Sequence, residues 1–234
     1  MCIRDRLHRL GIADEKIAVV TNGVNEYYYA EPTDDEINTV RKTFGLPAKG
    51  ERDTPVAMFL GNHTQNKGID ILLAAFLSLE IPYQLVVAGK KRENIDYSSY
   101  AARCLPGQRI VFTDHVSDTE VRALLHCADL FVFPSLADTL PLVVLEAMAT
   151  GLPVLATTVG GIPYQVDDSC GRLVPPGNVP ALRHALEDLF DQRATLKALG
   201  VRARRRVRER FDWGRSAAEA LKHYQAILKA NQTR

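Results

Sequence analysis

The sequence predicts an α/β domain: a Rossmann-like parallel sheet with helices on both faces. Three observations carry that reading. From Val56 onward, short apolar runs alternate with amphipathic stretches, strand after helix after strand. The runs are near-continuous, VAMFL at Val56–Leu60 being the first, as expected of strands buried on both faces. The loops that carry polar and glycine residues follow Leu60, Ala88, Phe112, Phe133 and Thr157, the carboxyl ends at which such sheets bind ligands.

Each element has its own signal. Asp34 to Phe44 reads as a short helix closed by Gly45 and Pro47, and Lys49 to Thr54 as a polar link. Val56 to Leu60 is a strand, Ile69 to Leu79 a helix, and QLVVAG from Gln84 a strand. Ile95 to Cys104 is a helix, RIVF from Arg109 a strand, Asp118 to His126 a capped helix, and DLFVF from Asp129 a strand. Leu140 to Ala149 is almost entirely apolar, the pattern of a helix buried on most of its circumference. Asp138 or Thr139 can cap it, Pro141 fits its first turn, and Gly151 stands where a helix stops. PVLAT and RLVPP are two further strands, and Val179 to Phe190 and Arg193 to Arg210 are helices.

Composition removes several function classes. The 234 residues suffice for one large domain or two small ones. With 29 basic and 28 acidic residues the net charge is +1, so no overall basic field draws nucleic acid. No apolar run approaches the ~20 residues that span a bilayer, and the N-terminus lacks the apolar core of a signal peptide. Four cysteines stand apart without metal-ligand spacing, which suits reduced thiols in the cytoplasm. No G-x-G-x-x-G follows a strand, which disfavours a dinucleotide-dependent dehydrogenase. Residues 1–6, MCIRDR, do not continue the pattern and read as a non-native leader.

The candidate site residues emerge from their settings. Glu146 is a carboxylate inside an apolar helix, where an unpartnered charge is costly. It is either half of a structural pair with a Lys or Arg, or an acceptor for ligand hydroxyls. Asp138 lies eight positions earlier, about two turns away at the helix mouth. Lys67 closes the loop Gly61-Asn62-His63-Thr64-Gln65-Asn66-Lys67-Gly68, which is not a Walker loop because Gly68 follows the lysine. It is either a solvated surface charge or a point charge for a phosphate. Free amides near Leu140, Leu142 and Val143 would add an anion site at the helix start. His63 and His126 read as ordinary surface or edge histidines. The run VRARRRVRERF reads as a solvated helix face, with contact to anionic lipid headgroups as the functional alternative.

An acid at Asp138, seven intervening residues, Glu146-Ala147, and then GLPVLATTVGGIP resemble the donor-site motif of glycosyltransferase family four, the retaining enzymes of GT-B fold. Motif, downstream strand and glycine-pair loop occur together and in order. LHRLGIADEKIAVVTNGVNEYYY further resembles the family's crossover, in which a short strand leads to Asn-Gly-Val. For Asn22-Gly23 an ordinary turn is the plainer reading. The closing FDWGRSAAEALKHYQAIL resembles the helix that returns to the other domain.

The resemblance implies the donor-binding, C-terminal half of a GT-B enzyme. Residues 7–54 would be the crossover with the first helix, 55–212 the nucleotide-sugar-binding domain, and 213–234 the returning helix. The acceptor half is absent, so the chain reads as a fragment inactive alone, from a hexosyltransferase-type enzyme that would reach a glycan or lipid-linked acceptor through the missing domain. Lys67 and the helix end would hold the donor diphosphate without a metal, in keeping with the lack of an Asp-x-Asp pattern. Glu146 would accept from the ribose hydroxyls, and main-chain atoms at His115 and Val116 would meet the base. Asp138, the candidate catalytic acid, would face the donor sugar, either on its hydroxyls or beside positive charge at the anomeric carbon. The chain departs from the family pattern where Asn62 stands in place of the usual Arg, Asp138 replaces Glu, and Pro141 replaces a glycine. Tyr164 stands where Glu is common. A sugar-nucleotide epimerase or phosphorylase of related fold and a non-catalytic flavodoxin-like module are the alternatives.

Overall fold

The computed structural model describes residues 3–47, 54–92 and 95–232. In chain order these form α1 (Ile3–Arg9), α2 (Asp34–Phe44), β1 (Val56–Leu60), α3 (Ile69–Leu77), β2 (Tyr83–Ala88), α4 (Tyr97–Ala101) and β3 (Gln108–Phe112). Then come α5 (Asp118–Cys127), β4 (Leu130–Phe133), α6 (Leu142–Ala149), β5 (Val154–Thr157), α7 (Ile162–Gln165), β6 (Gly171–Val174), α8 (Val179–Asp191), α9 (Arg193–Arg210) and α10 (Trp213–Gln232). The sheet order is β3-β2-β1-β4-β5-β6, and every pairing is parallel. The chain therefore winds outward from β1, returns, and winds the other way from β4. With right-handed crossovers this sets helices on both faces and opens a crevice where β1 and β4 diverge.

Why these residues make these strands is plain in their burial. Val56, Ala57, Met58 and Phe59 are fully buried, as are all four residues of β4, so neither face tolerates a polar side chain. The helices start where their caps dictate. Thr33 with Glu36 and Ser117 with Glu120 form reciprocal capping boxes for α2 and α5. Gly45 closes α2 in the left-handed conformation at φ 64°. The polar link from Lys49 falls mostly outside the described residues.

Several expectations need correction. The apolar helix begins at Leu142, not Leu140, and neither Asp138 nor Thr139 caps it. Pro141 is its N-cap in extended conformation, because its carbonyl accepts the buried Gln165 amide at 2.9 Å. Ile69 to Leu79 stops at Leu77, where Ser78 turns its hydroxyl onto the Ala75 carbonyl at 2.7 Å. Ile95 to Cys104 contracts to the single turn of α4, capped by Asp96.

Among the described residues no strand precedes Asn22. Val19 and Val20 lie exposed, and only Val24 makes a lone parallel bridge, to Asp212. Gly23 answers to a close approach rather than a turn, since a side chain there would enter the backbone and ring of Trp213.

The arginine-rich helix is solvated along part of its length, with Arg205, Arg208, Glu209 and Arg210 exposed, yet most of its arginines also engage the protein. Arg204 donates to the Tyr29 carbonyl at 2.6 Å, and Arg208 lies over the Tyr29 ring at 4.9 Å. Arg206 donates to the carbonyls of Gln165 (2.7 Å) and Tyr164 (3.1 Å) and pairs with Asp167 at 2.5 Å. Arg202 reaches the Ser169 carbonyl, and Arg210 covers the ring of Tyr164 at 5.1 Å. The run straps α9 across the chain's two distant segments. Arg205, paired with Glu209 at 3.9 Å, is exposed.

A second strap joins α2 to α5. Arg122 meets both oxygens of Glu36 at 3.0 Å and lies 4.1 Å over the ring of Tyr27. Arg122→Met should lower the urea-unfolding midpoint, because Glu36 then loses a buried partner that also covers the Tyr27 ring. An unchanged midpoint would mark the pair as a surface contact without weight.

Candidate functional site

The five loops that the sequence placed at strand ends converge at the crevice. The loop after β1 is tied to the loop after β4 by the Leu136 amide and the Ser135 hydroxyl, which both donate to the Asn66 carbonyl at 2.8 and 3.0 Å. Gly68 allows that approach, with φ 69° and no room for a side chain against the Pro134 carbonyl. The loop after β5 closes the other side. The Gly161 amide donates to the Thr139 carbonyl at 2.5 Å, and a side chain at Gly160 would strike the Asp138 carbonyl. The expected glycine pair is thus a close-packing device against the Asp138–Leu140 turn.

A cavity of about 310 Å³ lies where the loops after β1, β2 and β3 face α6. Gly61, Asn62, Val116, Val143 and Glu146 line it, together with Tyr28, Gly89, Lys90, His115 and Asp118. Five of the expected site residues therefore share one wall. Lys67 and Asp138 stand outside that cavity as an ion pair at 2.6 Å, with the lysine stem about 4.0 Å from where a Gly61 side chain would begin. Leu140 and Leu142 do not line the cavity. Leu142 sits exposed at the tip of α6, whose first turn has no side-chain cap and leaves its amides open.

Glu146 is the unusual member. Among the described residues no hydrogen bond or ion pair reaches its carboxylate. Its resolved electrostatic neighbours are the Asp118 carboxylate and the Tyr28 phenol. Burial raises its pKa from 4.5 to about 7, with the like charge of Asp118 adding to the effect. Among the described residues no Lys or Arg forms an ion pair with Glu146, which argues against the structural-pair reading. The same burial pushes the Tyr28 phenol above its usual range.

Three polar side chains of the lining were not among the expected site residues: Tyr28, Lys90 and Asp118. Lys90 was recoverable, because it directly follows Gly89 at the carboxyl end of β2. His63 is corrected from surface to core. It is fully buried, its Nδ1 lies 3.1 Å from the Tyr97 hydroxyl, and burial pulls its pKa down to about 4. The described residues contain no cluster of His, Cys, Asp or Glu arranged to hold a metal, and no helix long and apolar enough to cross a membrane.

Fold and site together define a doubly wound α/β domain with a crevice at its switch point, the Rossmann-like half of a GT-B architecture. The chain belongs to the family of group 1 glycosyl transferases, whose model matches residues 54–192. Among similar curated proteins, the 2-deoxystreptamine glucosyltransferase of Streptomyces kanamyceticus is 29% identical over 94% of this chain and 57% of its own length. The MMP alpha-(1->4)-mannosyltransferase of Mycolicibacterium hassiacum is 34% identical over 69% of this chain and 40% of its own. This chain thus spans about half the length of such relatives. Among solved structures, the sucrose-phosphate synthase of Thermosynechococcus elongatus superposes with a TM-score of 0.76 at 26% identity, covering 97% of this chain and 57% of that one. The HepE protein of Anabaena, solved in complex with UDP-glucose, superposes at 0.78 with 19% identity over 97% of this chain and 61% of that one, a likeness of fold.

Proposed function

We propose that this chain is the donor-binding half of a retaining glycosyltransferase, taking a nucleoside-diphosphate sugar at the switch-point crevice. The observation that carries the reading is Glu146, a carboxylate without a partner among the described residues, on the wall of a cavity sized for a small ligand. A protein bears that desolvation for a group that a ligand completes. Glu146 would accept from the ribose hydroxyl pair, and main-chain atoms near Val116 would meet the base. Lys67, the open amides at Leu142 and Val143, and Gly61 with Asn62 would receive the diphosphate. Lys90 lines the same cavity and can supply the cation that Asn62 lacks. Asp138 would face the donor sugar. In the complete enzyme a second domain would bring a glycan or lipid-linked acceptor, and the leaving diphosphate would keep the electron pair of the broken sugar–oxygen bond. The arginines of α9 engage protein carbonyls, carboxylates and rings, so they lend no support to membrane contact.

Calorimetric titration with UDP, GDP, ADP and their sugars tests the reading. One base series should bind without added metal and unaffected by chelator, and Lys67→Met should weaken it about tenfold or more. Loss of binding on chelation would contradict the metal-free site, and absence of binding by every series would contradict the donor reading.

A further inference from the structure

The ion pair at the crevice has a consequence for which ligand leaves it. We propose that Asp138 is the resident counter-ion of Lys67, so that the empty site presents a neutral pair and an incoming diphosphate must draw the lysine away from it. The inference rests on the donor-binding reading and gives Asp138 a specificity-determining role.

The pair is built into the two loops that define the switch point. Lys67 Nζ lies 2.6 Å from Asp138 Oδ2, with only 13% of the aspartate side chain and 31% of the lysine exposed. The Ser135 hydroxyl stands 3.4 Å from the same oxygen, and the Thr139 amide donates to Oδ1 at 3.2 Å. Ser135 is itself fully buried and anchored on the Asn66 carbonyl, next in chain to Lys67. Lys67 also sits 5.5 Å over the Phe133 ring, which removes water from one side of the ammonium. A half-buried pair so held is stronger than a surface one.

Charge then sorts the ligands. A free nucleoside diphosphate ends in a phosphate monoester that carries an additional negative charge near neutral pH, whereas the sugar nucleotide does not. A bare lysine would hold the free diphosphate more tightly than the sugar nucleotide. Asp138 opposes both ligands, and it opposes the more highly charged one more. The pair therefore weakens retention of the product relative to the donor.

The test uses inorganic pyrophosphate, UDP and UDP-glucose, with GDP and GDP-mannose in parallel. Each is titrated into wild type, Asp138→Asn, Asp138→Glu, Lys67→Met and the double variant Lys67→Met/Asp138→Asn, after melting curves establish that each is folded. Asparagine keeps the acceptor for the Thr139 amide and removes the charge. Asp138→Asn should tighten pyrophosphate and UDP about tenfold and UDP-glucose by distinctly less. Asp138→Glu should show no such gain, and the double variant should lose it. Unchanged or weaker pyrophosphate binding in Asp138→Asn would overturn the inference, as would a gain that survives loss of Lys67. Pyrophosphate carries neither base nor sugar, so it separates the two readings. A pyrophosphate response without any nucleotide binding would refute the donor site and uphold the counter-ion. Nucleotide binding indifferent to Asp138→Asn would do the reverse.

Discussion

Glu146→Gln should make the ligand-free protein more stable at pH 8, by about 2 kcal/mol. The sign follows from the direction of the shift. The folded-state pKa is raised from 4.5 to about 7, so the folded protein holds this proton more tightly than the unfolded chain. The stabilisation is complete below pH 4.5 and is lost as pH rises through 7. Above pH 7 the wild type keeps a desolvated carboxylate facing Asp118, and the glutamine does not. Urea unfolding of both proteins from pH 5 to 8 should therefore show a gap that opens over that window. The same substitution should weaken nucleotide binding, and wild-type affinity should rise with pH toward 7, because ribose hydroxyls donate to the ionised form. A gap that is absent, or that favours wild type at pH 8, would mean Glu146 has a stabilising partner after all. Opposite effects on stability and on binding are what a functional carboxylate predicts.

Gly68→Ala should be among the most damaging single methyls in the crevice. It forces a side chain at φ 69° directly against the Pro134 carbonyl, so the loops after β1 and β4 must part. About 3 kcal/mol or more should be lost in urea unfolding. Gly177→Ala is the control. Its φ is 71°, yet the nearest atom to the new carbon is Leu136 Cδ2 at 3.8 Å, so only the backbone term of about 1 kcal/mol remains. Equal losses at the two positions would show that conformation alone, rather than the loop junction, sets the requirement.

Much of this was legible in the sequence, for local reasons. The six strands announce themselves as apolar runs because burial on both faces leaves no polar position within β1 or β4. Glu146 stood out for the complementary reason, a charge in an apolar helix. What the sequence hid is long-range. The start of α6 depends on Gln165, twenty-four residues downstream, taking the Pro141 carbonyl. The partners of Arg204 and Arg206 are mostly backbone carbonyls, which no side-chain pattern reveals. His63 is buried because Phe59, Tyr97 and Phe112 close around it, residues drawn from three different elements. Asp118 was visible only as a helix start, yet its charge bears on Glu146 across the cavity. The Lys67–Asp138 pair joins two residues that were each read as facing the ligand.

The central claim, that Glu146 receives the ribose of a nucleoside diphosphate, is tested most directly by four affinities. Wild type and Glu146→Gln are each titrated with a ribonucleoside diphosphate and its 2′-deoxy analogue. Glutamine keeps the shape and one acceptor oxygen but loses the charge-assisted pair, so ribonucleotide affinity should fall by about ten- to a hundredfold. The deoxy analogue already lacks one hydroxyl and should lose far less, while any general damage to the fold cancels between the two ligands. Equal losses for the ribo and deoxy forms would contradict the account and leave Glu146 without a ligand.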